Sequence, residues 1–202
     1  KSASTVVDRV FGEGWHTDSP FLAQPPAVSL LYGKQIPPWG GDTWWCNTEL
    51  AYDFLSDGMK QLIAGLRVLM SAREAIRLTV RKDASGKEIV GDMKLVMDEE
   101  AAMIRGNFHP LVRTHPVTGA KSLYVDQIYA VGIQGLKDEE ARPLIEYLSR
   151  HIAREEFACR LRWTPGTLVM WDNRICVHKA FNDYDGHTRE MIRTIVNGEV
   201  PA

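Results

Sequence analysis

The 202-residue sequence is short of several things, and each shortage excludes a class of protein. Cysteine is sparse. Cys46, Cys159 and Cys176 stand far apart with no C-x-x-C pair, and an odd count does not build a disulfide framework. They read as reduced thiols, which implies a cytoplasmic protein. No apolar run approaches the length of a membrane span, and the first residues do not read as a secretory signal. An excess of one charge is also missing. Twenty-four Lys and Arg against 26 Asp and Glu leave a net charge of −2. That balance gives no basic footprint for nucleic acid and no polybasic membrane patch. There is no internal repeat and no low-complexity tract. With polymeric partners disfavoured, the expected partner is a small molecule.

What is present is ordinary for a globular fold: 45% hydrophobic and 25% charged residues. The length suits a single domain covering 1–202. Residues 1–11 read like the middle of a protein, so an N-terminal segment is expected to precede them. Residues 28–36 (VSLLYGKQI) read as a strand that stops at Pro37-Pro38, and Gly40-Gly41-Asp42 as a turn. Asn47 or Thr48 can cap a helix running to about Leu55, and Asp57 can start a second reaching Leu66. Residues 71–108 are charged and weakly periodic, with Ser85-Gly86 as a turn. They read as a long excursion, a lid or insertion. Residues 122–126 suggest a short strand. Residues 138–154 suggest an amphipathic helix with Leu144, Ile145, Leu148 and Ile152 on one face. Strands are then expected at 157–163, 167–171 and 191–196. The expected class is mainly β with helices (α+β), not alternating βαβ units.

Chemistry starts at Trp15-His16-Thr17-Asp18. On a strand, His16 and Asp18 share a face. His178 is the best third ligand, and two histidines with one carboxylate suit non-haem iron(II) with adjacent positions open. Those open positions would take a bidentate 2-oxo acid and O2. Arg189 and Arg193 would share the inward face of the last strand, and buried arginines call for an anionic ligand. Thr43 could donate its hydroxyl to the same carboxylate. Each feature alone has a plainer reading: Asp18 as a turn cap, the arginines as ion-paired residues, the tryptophans as core. His109, His115, His151 and His187 have no ligand spacing. His109-Pro110 and His115-Pro116 read as structural turns.

Together the pieces resemble the taurine dioxygenase and 2,4-dichlorophenoxyacetate dioxygenase family. The motifs are W-H-T-D at 15–18, P-P-x-G-G-D-T at 37–43, H-P-L-V-R-T-H-P-V-T-G at 109–119 and W-x-P-G-T-L-V-M-W-D-N-R at 163–174, followed by His178, Arg189 and Arg193. The resemblance implies a double-stranded β-helix, a jelly-roll, cupin-like core. It implies iron(II), 2-oxoglutarate and O2 as cofactor and co-substrates. His16, Asp18 and His178 would hold the iron; Thr43 and Arg189 would bind the distal carboxylate of 2-oxoglutarate. Arg193 would meet the anionic head of the substrate, and Tyr129 and Trp171 would line its pocket. The implied activity is hydroxylation of a small anionic molecule (a sulfonate, alkyl sulfate or aryloxyalkanoate), with copies of the chain as a dimer or tetramer. Alternatives are a same-family hydroxylase of an amino acid or biosynthetic intermediate, a non-catalytic β-barrel that binds a metal or small acid, and a zinc hydrolase. The chain departs from the taurine enzyme at Gly12, where that enzyme has a substrate-contacting asparagine. It also departs in the length of the 71–108 excursion.

Overall fold

A computed structural model describes residues 14–75, 80–82, 88–90 and 97–202, and for 80–82, 88–90 and 97–100 the backbone alone. Gly12 and the Ser85-Gly86 turn lie outside the described residues. The strands are β1 (Val28–Gln35), β2 (Thr43–Asn47), β3 (Arg67–Met70), β4 (Val80–Lys82), β5 (Glu88–Val90), β6 (Asn107–Pro110), β7 (Val112–Thr114), β8 (Lys121–Leu123), β9 (Ala130–Ile133), β10 (Ala158–Leu161), β11 (Leu168–Asp172), β12 (Cys176–Ala180) and β13 (Glu190–Val196). The helices are α1 (Thr48–Asp53), α2 (Asp57–Ile63), α3 (Met97–Arg105) and α4 (Asp138–Ile152). The result is a mixed α/β chain built mostly from small antiparallel sheets, in the orders β11-β1-β13, β10-β2-β12 and β6-β3-β9, plus the hairpins β4-β5 and β7-β8.

Two of these sheets make the site. In the first, Leu31 of β1 pairs with Val169 of β11 and Arg193 of β13, while Ser29 pairs with Trp171 and Ile195. Side chains alternate along each strand, so this face carries Ser29, Leu31, Trp171 and Arg193 together. In the second sheet, Trp45 of β2 lies between Cys159 of β10 and His178 of β12. The two faces meet where Trp45 packs on Trp171 with ring centroids 5.6 Å apart. Trp45, Trp163 and Trp171 form an apolar cluster joined by Leu31, Ile36, Leu161, Val169, Cys176 and Met191. The larger core lies to one side, where α4 turns its buried Ala141, Ile145, Leu148 and Ile152 onto it. Their spacing is helical, and the Glu140 side chain caps the start by accepting from the Lys137 N–H at 2.8 Å.

Most elements fall close to their expected places, with shorter ends. Asn47 caps α1 by accepting from the Leu50 N–H at 2.9 Å. Asp57 starts α2 as expected, with Ser56 as its cap. That helix stops at Ile63, because Gly65 adopts a φ of 79°. The expected strand at 122–126 is β8, ending at Leu123. Thr43, directly after the Gly-Gly-Asp turn, opens β2. Two readings need correction. His109-Pro110 is not a turn but the end of strand β6, with Pro110 paired to Arg67 at its last position. The H-x-D segment is not a strand: only His16 pairs, through an isolated bridge to His178. The 71–108 excursion contains the β4-β5 hairpin and α3 among its described residues. No helix among the described residues is long and apolar enough to cross a membrane.

Candidate active site

The local pairing explains why two distant histidines meet. His16 donates its N–H to the His178 carbonyl at 3.0 Å and accepts from the His178 N–H at 2.7 Å. The two rings stand 4.3 Å apart. Thr17 is clamped from both sides. Its N–H reaches the buried carboxylate of Asp126 at 3.3 Å, and its hydroxyl donates to the Asn173 carbonyl at 3.0 Å. The chain then bends at Ser19, which has a φ of 46°. That sequence of ties swings Asp18 beside the histidines without a regular strand.

His16, Asp18 and His178 are all buried, and one ligand atom from each lies within 4.8 Å of the others. His16 Nδ1 faces the Gly14 carbonyl at 2.8 Å. It therefore carries the hydrogen, and Nε2 keeps a free lone pair. His178 Nε2 lies 3.9 Å from Asp18 Oδ1, and its Nδ1 has no hydrogen-bond partner among the described residues. Burial, with the nearby His16 and Arg193, pushes the His178 ring well below the ordinary histidine range. A neutral imidazole is the form that ligates a metal. Two imidazoles and one carboxylate fit a divalent transition metal, and a facial set of this kind suits iron(II).

The cavity over these groups has a volume of about 410 Å³. Its lining includes Phe21, Leu31, Thr43, Met103, Tyr129, Trp171, Arg189 and Arg193. Every residue expected from the sequence to take part in the site is therefore on one wall or another. Tyr129 is fixed by its N–H, which donates to Asp126 Oδ1 at 2.6 Å. Burial raises its phenol well above the ordinary range, so it faces the cavity as a neutral hydroxyl.

Arg189 and Thr43 make the polar end. Trp163 donates Nε1–H to Thr43 Oγ1 at 2.9 Å. An indole nitrogen can only donate, so the Thr43 proton remains free for another acceptor. The Arg189 guanidinium stacks over Trp163 at 5.8 Å, and its Nε and Nη2 are buried with no partner among the described residues. Burial lowers its basicity. The Gly40-Gly41-Asp42 turn wraps this side chain. Gly41 has a φ of 67°, and a Cβ there would lie 3.0 Å from Arg189 Cδ. Gly41 N–H donates to Asp183 Oδ1 at 2.7 Å, which closes the wrap. Glycine is needed both for the left-handed backbone and for the close approach.

Arg193 departs from expectation. It was expected to be buried and to lack a protein partner, yet its side chain is 54% exposed and its Nη1 donates to Asp18 Oδ1 at 2.8 Å. The reason is its neighbours. Ile192 and Ile195 are 55% and 45% exposed, so this stretch of β13 has little packed over it among the described residues. Sequence reasoning missed Ser29, Asn173 and Asp126 as members of the site's surroundings. The only sequence signal for Asn173 was its place in the W-D-N-R run. Ser29 and Asp126 gave none, since their contacts cross more than ten residues of chain.

The family description "Taurine catabolism dioxygenase TauD, TfdA family" matches residues 2–195. The chain belongs to that family. It is 34% identical over 193 residues to an alpha-ketoglutarate-dependent 2,4-dichlorophenoxyacetate dioxygenase of Cupriavidus pinatubonensis, covering 96% of this chain and 62% of that protein. It is 31% identical over 187 residues to an alpha-ketoglutarate-dependent sulfate ester dioxygenase of Pseudomonas putida, covering 93% and 60%. A crystal structure of a taurine dioxygenase from Burkholderia xenovorans superposes with a TM-score of 0.77 at 32% identity, covering 97% of this chain and 61% of that one. The chain thus spans less than two thirds of each of these relatives.

Proposed function

We propose that this TauD/TfdA-family chain is the catalytic portion of an iron(II)- and 2-oxoglutarate-dependent dioxygenase that hydroxylates a small anionic organic molecule. The reaction converts substrate, 2-oxoglutarate and O2 into hydroxylated product, succinate and CO2. The observation that carries this reading is the Arg189 guanidinium, whose Nε and Nη2 are buried without a partner among the described residues, on the wall of the cavity that holds His16, Asp18 and His178. A buried cation without a partner is costly, and an anionic co-substrate relieves it.

In this reading His16, Asp18 and His178 hold the iron, and iron bound there supplies the redox chemistry with O2. Arg189 grips the distal carboxylate of 2-oxoglutarate, and the free Thr43 proton donates to the same group. That fixes the length and orientation of the co-substrate. Arg193 reaches Asp18 and can therefore reach an anionic group lying over the metal ligands. Phe21, Tyr129, Met103 and Trp171 give the substrate an apolar wall and keep water away from the reacting carbon. A sulfonate, an alkyl sulfate or an aryloxyalkanoate has both the anionic head and the apolar body this cavity fits. Where the hydroxylated carbon bears the heteroatom, the product collapses to a carbonyl and a leaving group. The two facing three-stranded sheets are read as the halves of a double-stranded β-helix within one catalytic domain. Within the 71–108 excursion, α3 is read as part of the substrate enclosure, because its Met103 lines the cavity.

The test is an anaerobic titration with Fe(II) and 2-oxoglutarate, followed by the weak visible charge-transfer band of the chelate. The expected result is a band that needs both components. Its absence in folded, iron-loaded protein would replace the oxygenase reading with a metal- or acid-binding module.

A further inference from the structure

Asp18 is held by groups outside the ligand set. Trp171 donates Nε1–H to Asn173 Oδ1 at 2.8 Å. Asn173 donates Nδ2–H to Ser29 Oγ at 2.8 Å, and Ser29 donates its hydroxyl to Asp18 Oδ2 at 2.5 Å. All four side chains are buried, Ser29 completely and Asn173 to within 2%. The direction of the chain follows from donor chemistry alone. An indole nitrogen only donates, so the Asn173 oxygen faces Trp171 and its NH2 faces Ser29. That NH2 also only donates, so the Ser29 oxygen accepts from it and its single proton is left for Asp18. An ionised carboxylate only accepts, and the relay ends there.

We propose that Ser29 and Asn173 are positioning residues that select the coordinating oxygen of Asp18. The relay occupies Oδ2 from the buried side, whereas Oδ1 faces His178 Nε2, 3.9 Å away, and accepts at 2.8 Å from the half-exposed Arg193, which is free to leave it to a metal. The inference rests on the reading of His16, Asp18 and His178 as metal ligands. A carboxylate with both oxygens free can chelate a cation and use two coordination positions. One oxygen engaged by a short hydrogen bond favours one-point ligation, and so preserves the adjacent positions a 2-oxo acid and O2 require. Asn173 does a second task. Its carbonyl accepts from the Thr17 hydroxyl at 3.0 Å and its N–H donates to the Ala27 carbonyl at 2.8 Å. One residue therefore ties Asp18 through its side chain, and the link between the two H-x-D ligands through its backbone. If the relay were only a way of satisfying buried polar groups, its loss would change stability and leave the metal unaffected.

The experiment compares the full chain with Ser29→Ala and Asn173→Asp. Mn(II) affinity is measured by electron paramagnetic resonance, the Co(II)-loaded forms by visible absorption, and folding by circular dichroism and Tm. Ser29→Ala removes one atom, and Asn173→Asp is close to isosteric but cannot donate to Ser29. Both variants are expected to bind Mn(II) ~10–100-fold more weakly. Both are also expected to shift the Co(II) bands, as a freed Oδ2 displaces a bound water. Should Ser29→Ala fail to fold, Asn173→Asp carries the same comparison. Folded variants with wild-type affinity and an unchanged Co(II) spectrum would overturn the relay and leave the ligand set standing. Wild-type protein that binds neither ion would overturn both.

Discussion

The two walls of the cavity are built on opposite principles. On one wall His16, Asp18 and His178, with Thr17, Ser29 and Asn173 bonded around them, are each at most 8% exposed, and hydrogen bonds to one another or to backbone groups fix most of them. On the other wall β13 carries Arg193 with 54% of its side chain exposed, and Arg189 has donors with no acceptor among the described residues. The first wall is largely satisfied by protein groups. The second keeps donors open at Arg189. In the proposed oxygenase this division makes sense: metal ligands gain from preorganisation, whereas the groups that read anions must stay unsatisfied until the anion arrives.

The sharpest way to break the comparison is to cut into the finished wall. His178→Ala removes one of three ligands and should lower Fe(II) binding below detection and abolish turnover, checked by metal analysis and succinate release. Activity near wild type would show that His178 is only a packed histidine. Arg189→Ala should raise the 2-oxoglutarate concentration needed for half-maximal rate ~10–100-fold, the loss of a charge-assisted pair, while iron affinity changes little. Equal losses of iron and co-substrate would mean that the two walls are not separable. Arg193→Ala should weaken the primary substrate ~10-fold, with a smaller effect on 2-oxoglutarate. It should not weaken the metal, although Arg193 touches Asp18. A large fall in metal affinity would move Arg193 to the finished wall.

The smallest effect concerns the protonation of the packed side of the fold. Burial lowers the His109 ring below the usual 6.5, and its Nε2–H is already given to the Pro20 and Leu22 carbonyls at 2.9 and 3.0 Å. A histidine whose folded value is depressed stabilises the fold above its unfolded value, and that stability is lost as pH falls through the window below it. Metal-free protein should therefore lose Tm between pH 7.5 and 5.5, and His109→Gln should lose less. A flat profile in both would mean that the ring takes up its proton as readily in the fold as in the unfolded chain.

Much of the site was legible because its residues are punctuated by motifs. The W-H-T-D run, the Gly-Gly-Asp-Thr turn and the spacing of His178, Arg189 and Arg193 all pointed to groups that line one cavity. Helices α1, α2 and α4 were legible too, the last because Leu144, Ile145, Leu148 and Ile152 repeat at helical spacing, whereas α3 was not, since residues 71–108 are only weakly periodic. The short strands β3, β6, β7 and β9 were not, because three or four residues carry too little periodicity to stand out. His109-Pro110 looked like a turn because proline usually breaks structure. It is the last residue of its strand here, where the missing donor costs least.

By itself the sequence determined the donor types, their order along the chain and the glycine that lets a turn close over Arg189. Those are local matters: a side chain's chemistry and a backbone's permitted φ need no partner to define them. Only the tertiary structure decided that His16 and His178 pair through their backbones. It alone showed that Ser29 and Asn173 stand behind Asp18, and that Arg193 lies half in solvent. Each of these depends on which distant strands pack together. The relay from Trp171 to Asp18 joins residues up to 155 positions apart (173 − 18), a connection no local pattern encodes.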